Sequence, residues 1–266
     1  MLKTRVISGI ILIIFMLLIT ILGGNTFSFT MATLSLGGLY ELYHCAKLEK
    51  TTLAICGYAM TVAFWTINLT ISDKYNFLMS ILTMTMLSVV YVIQFRIYKL
   101  DEVVLIFFGY DYLIGMFYFL QKVRISENGI GLMLLLIIGT WGCDTCAYFT
   151  GRLLGKRKLA SVLSPKKTVE GAVGGVVGAV LLGIICSYVF PRLIVSNIPS
   201  SIFCVMVCFT ISIVSQFGDL TASAIKRNFA VKDYGKLIPG HGGILDRFDS
   251  LMFSAPIMYL IALVFA

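Results

Sequence analysis

Apolar runs of about twenty residues recur along this chain from one end to the other, and no other feature constrains its fold as strongly. They lie at about 6–23, 27–44, 52–71, 76–95, 103–121, 130–151, 170–190, 200–221 and 248–266. A helix of that length crosses the hydrocarbon core of a bilayer, whose thickness is roughly 30 Å. Lipid offers no partners for backbone N–H and C=O groups, so a spanning run closes its hydrogen bonds within itself as a helix or within a closed barrel. Barrel strands are about 10 residues long and alternate in polarity, and these runs do neither. Only 13% of residues are charged and the mean hydropathy is +0.95, against roughly a quarter charged in a soluble domain. The expected fold class is all-α: a polytopic integral membrane protein with about nine transmembrane helices. Lys3 and Arg5 precede the first run, as in a signal peptide, but no Ala-x-Ala-like cleavage pattern follows Leu22. The run therefore reads as a retained helix.

Charge fixes the expected orientation. With the N-terminus in the cytoplasm, all but Lys74, Lys122, Arg124 and Arg192 of the 21 Lys and Arg residues fall in inner segments. Positive residues concentrate on the cytoplasmic side of membrane proteins. The expected location is a cell membrane, the inner membrane of a bacterium, with the charged face towards the cytoplasm. The net charge of +8 suits anionic headgroups and nucleotides, and no RNA- or DNA-binding motif accompanies it. The seven cysteines are odd in number and scattered through the apolar runs, which argues against a disulfide framework. Cys143 and Cys146 form a lone C-x-x-C inside an apolar run and read as packed thiols.

Two polar segments interrupt the apolar background. The first runs from Trp141 to Gly175. It carries Asp144 at membrane depth, where an ionisable residue is costly and marks function, the competing use being a pair with a neighbouring Lys that locks two helices. Gly151 to Lys158 superficially resembles a phosphate-binding loop, but its glycines are one residue too close and Arg157 stands where a metal-binding Ser or Thr belongs. Ser164 and Pro165 predict a helix start, with Ser164 as N-cap and Lys166 and Lys167 in the first turn; Thr168 is a competing start. Cations there oppose the helix dipole, a conflict that a bound phosphate would resolve. Beyond it, Gly171, Gly174, Gly175 and Gly178 form small-residue pairs four apart, which let helices approach closely, within one chain or between two copies in a homodimer.

The second segment runs from Asp219 to Ser250. Asp219, Ser223 and Lys226 share a helix face by their spacing, as do Asp246, Asp249 and Ser250. Carboxylates at two helix ends suit a hard cation such as magnesium, which takes oxygen ligands, while interhelical ion pairs are the competing use of the same residues. His241 sits among glycines in Pro239 to Gly243, where close backbone approach to a ligand is easy. It suits phosphate contact or proton transfer. Asp111, mid-span, suits either a hydrogen bond to a neighbouring helix or an ion pathway.

The order Ser223, Lys226-Arg227, Lys232-Asp233, His241-Gly242-Gly243, Asp246-Arg247, Asp249 resembles the signature of the phosphatidate cytidylyltransferases, also called CDP-diacylglycerol synthases. Trp141, Asp144, Ser164-Pro165, Lys167-Thr168 and Glu170-Gly171 are also similar to that family. The motifs cover roughly the C-terminal half, 130–266, which divides as catalytic loops and helices from a scaffold at 1–129. The resemblance implies transfer of a cytidylyl group from CTP to phosphatidate, with release of pyrophosphate and a need for magnesium, a second cation being left open. It implies Asp219, Asp246 and Asp249 on metal with Asp144 nearby, and Lys167, Lys226, Arg227 and Arg247 on phosphates. His241 joins this catalytic set. Ser164, Lys166, Thr168, Ser223, Lys232, Lys236, Gly242 and Gly243 are expected to contact substrate. A transporter would place its site near the midplane between repeats, but no convincing repeat is present and the charges crowd one face. A lipid kinase would need a nucleotide fold, and a CDP-alcohol phosphotransferase its DxxDG–AR–G–D–D pattern; neither is found.

Overall fold

The structure, a computed structural model, describes residues 2–238, 240 and 242–265. Nine helices are found among them: α1 (Leu2–Leu22), α2 (Gly24–Cys45), α3 (Thr52–Thr70), α4 (Asn76–Ile93), α5 (Leu100–Ile125), α6 (Gly129–Leu154), α7 (Val169–Val189), α8 (Ser200–Asn228) and α9 (Leu245–Phe265). Seven elements are long and apolar enough to cross a membrane: α3, α4 with the 3-10 turn before it, and α5 to α9. The other two expected spans, α1 and α2, are helical but fall outside that set. The described apolar part of α1 is Ile7–Leu22, and α2 is diluted by Asn25, Glu41, His44 and several hydroxyl residues. The chain is a multi-pass, all-α membrane protein.

The helices are knit by polar contacts that lipid cannot replace. Tyr43 of α2 donates to the Ile106 carbonyl of α5 at 2.7 Å, and Trp65 of α3 donates to Ser35 of α2 at 2.9 Å. Phe248 of α9 stacks its edge between Phe117 and Trp141. Asp111 accepts from Ser80 of α4 at 2.7 Å, which is the helix-to-helix bond that suited it. At one end of the bundle Lys122 pairs with Asp73 at 2.6 Å. The opposite end carries the turn between α2 and α3 and the hairpin of Lys158–Ala160 with Ser164–Thr168.

The glycines of α7 are used inside the chain. A Cβ at Gly174 would lie 2.4 Å from Thr150 Oγ1, one at Gly178 2.4 Å from Cys146 Sγ, and one at Gly175 2.9 Å from Ala147 Cβ. The second half of α6 packs where those side chains would be. All seven cysteines are free thiols, with Cys143 buried against the Ser212 carbonyl.

Two local structures differ from expectation. Ser164–Thr168 is a strand, not a helix start. It pairs antiparallel with Lys158–Ala160, with Lys158 opposite Thr168. The helix begins at Val169 with Thr168 as its N-cap, accepting from Gly171 N at 3.1 Å. Glu170, in the first turn, accepts from Lys156 N at 3.0 Å and Arg157 N at 3.1 Å, which pins the hairpin to the helix. The later start keeps Lys166 and Lys167 out of the turn where the helix dipole repels cations. The second surprise is a single π turn at Ile138–Gly142 within α6. Thr140 donates back to the Leu136 carbonyl at 2.8 Å, a bond that competes with the helix ladder and bends it.

Candidate active site

At the charged end of the bundle α1, α6, β2 (Ser164–Thr168), α7, α8 and α9 surround a cavity of about 590 Å³. Its polar wall contains Asp144 from α6, Lys166 and Lys167 from β2, Asp219 and Lys226 from α8, and Asp246, Arg247 and Asp249 from α9. Thr168 joins them. The farthest apart in sequence, Asp144 and Asp249, are separated by 105 positions, and all of them meet at this one cavity.

Two ion pairs order this wall. Lys226 Nζ donates to Asp246 Oδ1 at 2.8 Å, with side-chain exposures of 13% and 2%. Lys167 pairs with Asp219, both about a quarter exposed. Asp246 is fully engaged, because its Oδ2 also accepts from Tyr234 N at 2.8 Å and Gly243 N at 2.9 Å. Lys226 lies 5.3 Å from the centre of the Tyr234 ring. Burial pushes the Tyr234 phenol well above its ordinary range, so it stays protonated and donates to the Ala222 carbonyl at 3.1 Å. Ser223 donates to Asp219 Oδ1 at 3.4 Å. Asp249 accepts from Ser250 N at 2.7 Å.

Asp144, Asp219 and Asp249 lie within one another's electrostatic field, together with Lys167, Lys226 and Arg247. Among the described residues no three His, Cys, Asp or Glu side chains are gathered closely enough to hold an ion by themselves. Magnesium is ordinarily held by one or two carboxylates plus water and substrate phosphates. Mutual repulsion among three acids favours a cation between them. The donor set fits a magnesium ion completed by substrate.

Several expected contacts lie elsewhere. Among the described residues the cavity wall does not include Ser164, Ser223, Arg227, Lys232, Lys236, Gly242 or Gly243. Arg227 is exposed and donates to the Val231 carbonyl at 3.1 Å, while Lys232 and Lys236 are exposed on the 229–244 segment. Gly242 and Gly243 support the wall from behind. Gly242 has φ +89°, and a Cβ on it would come 2.6 Å from Asp246 Oδ2. His241 lies outside the described residues.

Glu41 was not singled out by its sequence, where it is one acid in the second apolar run. Its buried carboxylate accepts from Ile244 N at 2.9 Å and Leu245 N at 3.0 Å. It thus satisfies first-turn N–H groups of α9, which a helix cannot bond internally, and favours the helix dipole. A Cβ on Gly243 would lie 2.3 Å from Glu41 Oε1, so the glycine admits this clamp. Glu41→Ala should lower stability by about 1–3 kcal/mol, the cost of leaving buried donors unpaired. Thermal unfolding in detergent reads this directly; an unchanged midpoint would show that the clamp carries no energy.

Fold and site together define a multi-pass membrane protein whose cations and acids meet in one cavity at a membrane end. The sequence pattern of the Cytidylyltransferase family matches residues 3–265, and the chain belongs to that family. It is 32% identical over 276 residues to the phosphatidate cytidylyltransferase of Bacillus subtilis (strain 168), covering 99% of this chain and 98% of that one. It is 33% identical over 268 residues to the phosphatidate cytidylyltransferase of Brucella suis biovar 1 (strain 1330), covering 100% and 94%. The protein of that name from Thermotoga maritima is 39% identical over 135 residues, about half of each chain.

Proposed function

We propose that the chain transfers the cytidylyl group of CTP to phosphatidate, giving CDP-diacylglycerol and pyrophosphate. The observation that carries this is the cavity wall, where Lys166, Lys167, Lys226 and Arg247 face four acids at one membrane end, in a chain of this family. A phosphatidate oxygen attacks the α-phosphorus of CTP; the bond from that phosphorus to the bridging oxygen breaks, and pyrophosphate leaves with the electron pair. A phosphate monoester has its second pKa near about 6, so the nucleophile is largely ionised without a base. Both reactants are anionic and repel each other. Lys167, Lys226 and Arg247 offset that repulsion, hold the phosphates in line and stabilise charge on the leaving group.

Asp219 and Asp249 would hold magnesium, with Asp144 beside them. Bound there, the ion would supply charge neutralisation at the phosphates. Asp246 positions Lys226, Tyr234 and Gly243 through its own bonds. The excess of Lys and Arg at this end supports a cell-membrane location with the cavity facing the cytoplasm.

Purified protein in detergent, with no sealed compartment, should release pyrophosphate from CTP only when phosphatidate and magnesium are both present. Chelation should reduce the rate to background. Release that ignores phosphatidate would make the chain a CTP hydrolase instead, and no release with any acyl form would remove the reading.

A further inference from the structure

The cavity has two kinds of wall. Every charged residue on it comes from α6, β2, α8 and α9. One side comes from α1, through Ser8, Gly9, Leu12 and Ile13. These four fall at i, i+1, i+4 and i+5, so they form one stripe on the helix. None carries charge, two are large and apolar, and Gly9 has no side chain at all. The opposite face of α1 is more open: Ile10, Ile11 and Ile14 are 52%, 60% and 57% exposed, against 42% for Ile13 at the edge of the stripe. In a membrane that face meets lipid. The helix therefore stands between the charged cavity and the bilayer.

A nucleotide is the poorer match to this wall: its triphosphate seeks cations, its ribose seeks hydrogen bonds, and the flat face of its base stacks best on an aromatic ring, which the α1 stripe lacks. A diacyl lipid does. Its phosphate must reach the cations while its glycerol and acyl carbons stay out of water, which favours apolar surface at about 25 cal/mol per Å². We infer that the α1 stripe Ser8, Gly9, Leu12 and Ile13 is the lipid-side wall of the catalytic cavity and holds the glycerol and first acyl carbons of phosphatidate. The inference rests on the proposed activity. It makes α1 a specificity element, in place of the scaffold role expected of the first 129 residues. The gap at Gly9 is where the glycerol unit passes, and Leu12 and Ile13 lie against the chains beyond it.

The test separates lipid from nucleotide. Gly9→Leu and Leu12→Trp should raise KM for dioleoyl phosphatidate about tenfold or more, the scale on which hydrophobic pockets respond to misfits of a few carbons. KM for CTP should stay within about twofold, and dihexanoyl phosphatidate should suffer less than the long-chain lipid. Ile11→Trp, on the open face, should change none of these. Because a bulky variant can fail to insert, a photoreactive benzophenone residue at Ile13, with one at Ile11 as reference, gives a second readout. Ile13 should crosslink radiolabelled phosphatidate in a manner that excess unlabelled phosphatidate suppresses, whereas crosslinking at Ile11 should resist suppression, as bulk lipid does. The crosslink reports lipid occupancy whether or not turnover occurs, so it stands apart from the activity. Equal shifts in both KM values, no shift in either, or equal competition at Ile13 and Ile11 would overturn the inference.

Discussion

Asp246→Asn should lower turnover by about a thousandfold or more and stability by about 3–5 kcal/mol. The stability loss follows from burial. Asp246 balances Lys226 inside the protein, with side-chain exposures of 2% and 13%, and its removal leaves a cation with little water to screen it. It also frees Tyr234 N and disturbs Gly243 N, both of which the carboxylate accepts. The rate loss follows from position, because Lys226 loses the partner that aims it into the cavity. Turnover and thermal unfolding in detergent should be measured together. Adding Lys226→Met to Asp246→Asn should restore part of the stability, since a neutral pair needs no compensation, and none of the activity. A single variant with a normal rate and midpoint would remove Asp246 from the site.

Asp219→Asn should separate the same two effects. Its pair with Lys167 is about a quarter exposed on each side, and partly solvated pairs contribute roughly 1 kcal/mol or less. Stability should therefore hold. Turnover should fall about a thousandfold, as when a preorganised charge is withdrawn from a transition state. The magnesium concentration for half-maximal rate should also rise. A variant that keeps its magnesium dependence would show that Asp219 serves Lys167 alone.

The bundle was largely legible because runs of twenty apolar residues have one good solution in lipid. The position of Lys226 beside Asp219 and Ser223 was legible too, since helical spacing alone puts them on one face. Local competition was harder. Ser164-Pro165 and Thr168 are both sound helix starts, and the choice fell to the strand pairing of Lys158 with Thr168 and to the backbone bonds of Glu170. Neither is encoded by spacing. Glu41 escaped notice because its partners are 203 and 204 residues away, and one acid in an apolar run says nothing of what it will meet. Arg227 and Lys232 matched a signature, yet a linear motif does not distinguish side chains that line a cavity from those exposed outside it.

That long reach from Glu41 has a consequence for biogenesis. Chains are made from the N-terminus, and domains emerge in that order. Glu41 is in place long before Ile244 and Leu245 exist to be held, and Asp246, Arg247 and Asp249 arrive only with the final helix. A nascent or truncated chain lacking that helix already displays Lys166, Lys167 and Asp219 but has no finished cavity. The catalytic wall therefore closes only after α9 has been made and Glu41 can hold its start.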